Sequence, residues 1–102
     1  MPSVADLVEP SILPQHANQR ELEAGRALAE HGSVALVAFG PLEVQATVRD
    51  DLDRHVMLRS IADGLAWTSD CPEGQAGMFC RHCVAAAAIT WQRAPTRRTR
   101  RA

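Results

Sequence analysis

The sequence has few aromatic residues and no lysine. Only four of its 102 residues are aromatic, and alanine makes up much of the remaining hydrophobic content, which predicts a thin core. A chain of this length fits one domain, near the lower size at which a core alone gives comfortable stability. A bound metal ion is one remedy for a thin core. All the basic residues are arginine, which we attribute to the base composition of the gene rather than to function.

The sequence also lacks a disulfide framework and a long apolar run. Its three cysteines form an odd number and fall within thirteen residues, a pattern that favours a metal site over disulfides. The longest apolar run, Cys83 to Ile89, is far shorter than the roughly 20 residues of a membrane-spanning helix. Residues 1–9 show neither the basic start nor the apolar stretch of a secretion signal. We therefore expect a cytoplasmic protein with no membrane association.

Charge is distributed unevenly along the chain. Residues 1–92 carry a net charge of −6 and residues 93–102 a net charge of +5, so the two parts are considered separately. We expect residues 1–17, which contain three prolines, to be an irregular lead, and residues 93–102 to be a disordered basic tail. The tail either serves solubility or contacts nucleic acid, through Arg97, Arg98, Arg100 and Arg101.

The hydrophobic pattern of residues 18–92 predicts an α+β fold. Asn18 and Glu21 match the start of a capped helix over residues 18–31, and Gly32 suits its end. Residues 42–48 alternate apolar and polar side chains, as a half-buried strand does. Asp63-Gly64 is a hairpin signal. The sum is an N-terminal helix, an antiparallel meander of three to four strands, a zinc-binding loop over residues 72–79 and a C-terminal helix over residues 81–91.

The candidate metal ligands are Cys71, Cys80 and His82. Thiolate and imidazole are the donors that zinc prefers. A strand end supplies Cys71 and a helix start supplies the other two, with a glycine-containing loop between them that eases the bend. The start of a helix also favours thiolate over thiol. The residues alone therefore favour one zinc ion at this point.

The same segment resembles a SWIM-type zinc finger. That family follows Cys-x-Cys, a variable loop and Cys-x-His in a strand–strand–helix setting; this chain has Cys71-Pro72 and then Cys80-Arg81-His82-Cys83-Val84-Ala85. The resemblance covers roughly residues 18–92. It implies one structural zinc ion in a small free-standing module that binds protein or DNA, as an accessory to a helicase-like ATPase. It implies neither an enzyme nor a small-molecule substrate.

The chain departs from the family pattern at the first ligand, where it has Ser69. Strand alternation places Ser69 and Cys71 on one face and Asp70 on the other. The fourth coordination position of the zinc ion is then filled by Ser69 through a water molecule or by Cys83, or the site is degenerate and empty. We interpret Cys83 as a small buried apolar residue, because neighbouring helical side chains point about 100° apart.

Two other functions stay open beside the zinc module. The Cys80-x-x-Cys83 pair matches a thiol redox motif, although in thioredoxin-like enzymes the motif lies early in the chain and here only one helix follows it. A metal-free structural remnant is the other alternative. We interpret His16, His31 and His55 as solvated, and the acidic cluster at residues 50–53 as a solvated turn rather than a calcium loop.

Overall fold

The structure, a computed structural model, describes residues 2–94 and confirms the predicted α+β class. Of the tail predicted over residues 93–102, Arg93 instead ends the last helix and Ala94 is buried. The predictions for residues 95–102, including Arg97, Arg98, Arg100 and Arg101, lie outside the described residues. In chain order, the elements are α1 Val4–Leu7, a 3-10 turn Leu13–Gln15, α2 Gln19–Glu30, β1 Val34–Phe39, β2 Glu43–Arg49, β3 Asp53–Ile61, β4 Gly64–Ser69, α3 Pro72–Gln75 and α4 Arg81–Arg93.

The four strands form one antiparallel meander in the order β1-β2-β3-β4. The alternation predicted for residues 42–48 holds in β2, because Val44, Ala46 and Val48 are buried while the residues between them are partly exposed. The hairpin predicted at Asp63-Gly64 is present, but its two turn residues are Ala62 and Asp63, and Gly64, with a φ of +123°, begins β4 opposite Ile61. The buried face of the sheet packs against α4, which therefore lies at the centre of the molecule.

Helix α2 packs closely against α4 because the contact has a glycine on one side. A Cβ atom at Gly25 would lie 2.4 Å from Val84 Cβ and 2.7 Å from the Arg81 carbonyl oxygen. Such distances leave no room for any side chain at this position. Gly25 therefore sets how near the two helices approach and where the first turn of α4 lies.

The start of α2 differs in one detail from the predicted capping arrangement. Asn18 accepts the Glu21 N–H at 2.9 Å, but the Glu21 carboxylate turns to α4 instead of back to Asn18. It accepts from the Arg81 backbone N–H at 2.9 Å and from Arg81 Nη2 at 3.2 Å. Cys80 is the N-cap residue of α4, but its side chain accepts no capping hydrogen bond from a backbone N–H of the helix. Glu21 thus satisfies one N–H that a helix start otherwise leaves unpaired.

The predicted irregular lead is ordered and belongs to the core. Ser3 and Asp6 form a reciprocal capping box at α1, and Val4, Val8 and Leu13 are buried. The prolines lie before α1, after it and in the 3-10 turn, so they bound these elements without interrupting α1. The loop over residues 72–79 likewise contains the short helix α3. Within residues 2–94, no helix has both the length and the apolar character needed to cross a membrane.

Candidate metal centre

The chain brings Cys71, Cys80 and His82 together between the end of the sheet and the start of α4. Cys71 lies between β4 and α3, Cys80 directly precedes α4, and His82 lies in its first turn. Gly77, with a φ of +93°, helps the intervening segment to turn back. The three residues are only 1%, 1% and 5% exposed, and their ligand atoms all lie within 4.8 Å of one another.

The spacing of these donors fits a tetrahedral ion. Cys71 Sγ lies 3.5 Å from Cys80 Sγ, and Cys80 Sγ lies 3.7 Å from His82 Nδ1. Sulfur and nitrogen atoms bound to one tetrahedral zinc at about 2.3 and 2.0 Å lie about 3.5–3.8 Å apart. The three side chains can therefore hold a metal ion.

Ser69 faces the same point, as strand alternation predicts. It is buried, and its Oγ lies 3.4 Å from Cys71 Sγ. Asp70 points the other way and binds His55, accepting the backbone N–H at 3.1 Å. Gly74 covers Ser69 so closely that a Cβ there would lie 2.4 Å from Ser69 Cβ, and its N–H donates to Cys71 Sγ at 3.3 Å. The Ser69 hydroxyl therefore lies next to the sulfur of one candidate ligand, Cys71.

Cys83 lies beside the cluster without belonging to it. It is fully buried, and its Sγ is 3.8 Å from Cys80 Sγ, but it is absent from the group whose ligand atoms are mutually within 4.8 Å. The neighbouring Cys80 sulfur, together with burial, raises the pKa of the Cys83 thiol far above its ordinary value. Cys83 is therefore a neutral thiol within the core in this structure.

The cluster has the electrostatics of a thiolate–imidazolium pair. Hydrogen bonding from Cys83 outweighs burial and, with His82, lowers the pKa of Cys80 to about 2. Burial opposes the charging of His82, but Cys80 and Asp50 outweigh it and raise its pKa to about 9. A cation bound here would replace the proton on the ring nitrogen that faces the sulfurs, since metals bind neutral imidazole.

The sequence suggested that the acidic turn at residues 50–53 is solvated, but one of its carboxylates contacts a buried side chain. Asp50 Oδ2 lies 2.9 Å from His82 Nε2, so the ring is held from the side opposite the sulfurs. Asp51 and Asp53 instead pair with Arg54 and Arg49. The contact of Asp50 with His82 joins residues 32 positions apart, and no local pattern signals it.

The three histidines predicted to be solvated each have a ring partner, although His31 and His55 are exposed, as predicted, and His16 is half-buried. His16 lies in an aromatic cluster, with its ring centroid 5.2 Å from Trp67 and 5.5 Å from Phe79, and His55 Nδ1 is 3.0 Å from Asp70 Oδ2. His31 is exposed at the end of α2, with Nδ1 2.7 Å from the Ala27 carbonyl oxygen. None of the three approaches the cluster closely enough to join its ligand group.

Comparisons of the chain with protein-family models, with curated proteins and with solved structures find no match.

Proposed function

We propose that the chain is a zinc-binding interaction module of the SWIM type, which holds one structural Zn²⁺ and binds a protein or nucleic-acid partner without catalysing a reaction. The convergence of Cys71, Cys80 and His82 on one buried point is the observation that carries the proposal. An accessory role beside a helicase-like ATPase is part of the proposal and rests on the motif resemblance.

The donor set supports zinc over other common ions. Two thiolates and an imidazole suit zinc, whereas calcium and magnesium prefer oxygen donors. The burial of all three residues favours a structural ion over a catalytic one, because a catalytic ion needs an open position that substrate can reach. Zinc here would join the end of β4 to the start of α4.

Metal analysis of the purified protein tests the proposal. We expect about one zinc per chain, and loss of most of it in Cys71→Ala, Cys80→Ala and His82→Ala. His55→Ala is the matched control, because His55 is exposed and paired with Asp70. A protein that binds no zinc in a chelator competition, while folding normally, would support the metal-free remnant instead.

The nature of the partner requires a second experiment. The acidic body argues for a protein partner, and the basic tail argues for nucleic acid. Deletion of residues 95–102 removes four arginines. If these bind phosphates, the slope of log affinity against log salt should flatten by about 0.9 for each phosphate that the shortened chain no longer binds. An unchanged slope, or no nucleic-acid binding by the intact chain, would leave the protein partner as the proposal.

A thiol redox enzyme is the second candidate, favoured by the 3.8 Å separation of the Cys80 and Cys83 sulfurs. Burial argues against it, because reactive cysteines need partial exposure to reach an external substrate, and both residues are buried. Alkylation of the folded, zinc-free protein distinguishes the two. Rapid modification of Cys80 would favour the enzyme, whereas slow modification that follows unfolding supports the structural module.

A further inference from the structure

We infer that Asp50, in the turn between β2 and β3, is a positioning residue for the metal centre, because it holds the His82 ring by one nitrogen and so presents the other to the sulfurs. The inference rests on the proposed zinc binding and adds to it a residue from a distant part of the chain. Asp50 would contact the ligand and not the ion.

The two ring nitrogens of His82 have different partners. Nε2 lies 2.9 Å from Asp50 Oδ2, while Nδ1 lies 3.7 Å from Cys80 Sγ. An ionised carboxylate only accepts hydrogen bonds, so the nitrogen that faces it must carry the proton. In a neutral ring the lone pair is then on Nδ1. Asp50 therefore selects the tautomer whose free nitrogen points at Cys80.

Asp50 is the acid of this turn that reaches the ring. Asp51 Oδ2 accepts from Arg54 Nη2 at 3.2 Å, and Asp53 Oδ1 accepts from Arg49 Nε at 3.3 Å. The Asp50 side chain is 36% exposed while that of His82 is 6% exposed, so the carboxylate reaches from the surface into the edge of a buried site. The neighbouring aspartates therefore provide controls with similar charge but no contact with His82.

The bond between Asp50 and His82 also matches what metal sites require beyond their direct ligands. A ligating histidine usually donates its second N–H to a carboxylate or carbonyl, which fixes the ring and raises its basicity. Asp50 comes from the sheet side and His82 from α4, so the bond fixes the ring relative to Cys71, which follows β4. A site with only three protein donors depends heavily on this placement.

The test compares Asp50→Ala and Asp50→Asn with the matched control Asp51→Ala, using Zn²⁺ in competition with a chromophoric chelator. Loss of a partner of this kind weakens metal binding about 10–100-fold, which we expect for Asp50→Ala. Asp50→Asn keeps a hydrogen-bond acceptor but loses the charge, so its zinc affinity should lie between those of Asp50→Ala and the parent. Asp51→Ala should stay within about twofold of the parent, since its carboxylate pairs with Arg54 and not with the ring.

A spectroscopic measurement separates positioning from a general effect on folding. In zinc-loaded, ¹⁵N-labelled parent protein, the His82 ring should show a protonated Nε2 whose proton exchanges slowly with water. That signal should persist in Asp51→Ala and disappear through exchange in Asp50→Ala. A merely structural role would lower the melting temperature of the zinc-free protein while leaving zinc affinity and this signal unchanged.

The outcomes separate the inference from the proposed function. If the parent binds zinc and both Asp50 variants bind it equally tightly, the positioning role is overturned and the zinc module stands. If the parent itself binds no zinc, the proposed function fails, and the inference fails with it. Should Asp50→Ala not fold, the affinity and ring signal of Asp50→Asn decide the matter in the same way.

Discussion

The side chain at position 69 determines which donor could occupy the fourth coordination position of the candidate zinc site. Its Oγ is already 3.4 Å from Cys71 Sγ, so Ser69→Cys would place a third thiolate at the same point. A thiolate is a far better zinc ligand than a hydroxyl. We expect zinc affinity to rise by at least about tenfold, or about 1.4 kcal/mol, measured by chelator competition.

Two further substitutions act as controls for that change. Ser69→Ala should alter zinc affinity by less than about twofold if water completes the coordination shell. Cys83→Ser should lower the stability of the zinc-free protein, because a hydroxyl costs more to bury than the thiol it replaces, yet leave zinc affinity unchanged. If Cys83→Ser loses zinc while Ser69→Cys gains none, Cys83 is the fourth ligand and its assignment to the core is wrong.

The sequence predicts those features of the site that depend on residues close together in the chain. Strand alternation and the start of a helix are enough to orient Ser69 and Cys71 and to place Cys80 and His82. The partners of Asp50 and His16 come from other elements, and a residue in a polar turn or lead carries no local signal of such an interaction. The signal for Asp50 exists only once the sheet and α4 are assembled.

At the level of elements, the α2–α4 interface depends on the absence of a side chain at Gly25. Gly25→Ala would gain about 1 kcal/mol of helix propensity but place Cβ 2.4 Å from Val84 Cβ. Overpacking of this kind costs about 1–3 kcal/mol, and the nearby Arg81 carbonyl cannot move freely. We expect a net loss of stability in urea unfolding, whereas Arg26→Ala, at the next and exposed position, should stay within about 0.5 kcal/mol of the parent.

The bond from Glu21 to the start of α4 predicts a pH dependence. Burial alone would raise the pKa of Glu21, but the bonds from Arg81 outweigh it and the pKa lies below its ordinary value. The stabilisation is therefore fully present above the unfolded pKa and is lost as pH falls through the lower folded value. At pH 7, Glu21→Gln should cost about 1–2 kcal/mol.

The difference in stability between the parent and Glu21→Gln should begin to narrow as pH falls to the ordinary Glu pKa of about 4.3. It should close only below the lower folded pKa of Glu21, where the carboxyl is neutral in both the folded and the unfolded state. Unfolding of the zinc-free protein measures it, so that metal release does not contribute. Glu23→Gln, on the exposed side of the same helix, is the control and should show a much smaller change. A gap that stays constant from pH 7 to pH 3 would contradict the assignment of the charge to this bond.

Local patterns predict the elements well where these are amphipathic or capped. Residues 18–31 and 42–48 have such signals, and α2 and β2 follow them within one or two residues. Helix α1 escapes prediction because its single turn is too short for periodicity to show, even though Ser3 and Asp6 form a capping box. Its stability comes from burying Val4 and Val8, which is a property of the assembled core.

For the whole molecule, zinc should act as a major source of stability. Metal that binds only the folded state stabilises by about 4 kcal/mol at a thousandfold excess over its dissociation constant. In a domain of this size, about 1 kcal/mol shifts the melting temperature by roughly 4–8 °C. We expect a rise of at least about 15 °C on adding zinc, reversed by a chelator. A melting temperature indifferent to both would mean that the core alone is sufficient.

The candidate ligands Cys71 and Cys80 lie at the two ends of one segment, and this has a consequence for how the protein is degraded. Between them, Glu73, Gln75 and Met78 are exposed, and the segment has no buried residue until Phe79. A bound ion would fix both ends of the segment, at Cys71 and Cys80, whereas without metal the segment is joined to the core by far fewer interactions. Within residues 2–94, a protease should therefore nick the zinc-free chain first at residues 72–78, and zinc should delay that cut more than any other in this range.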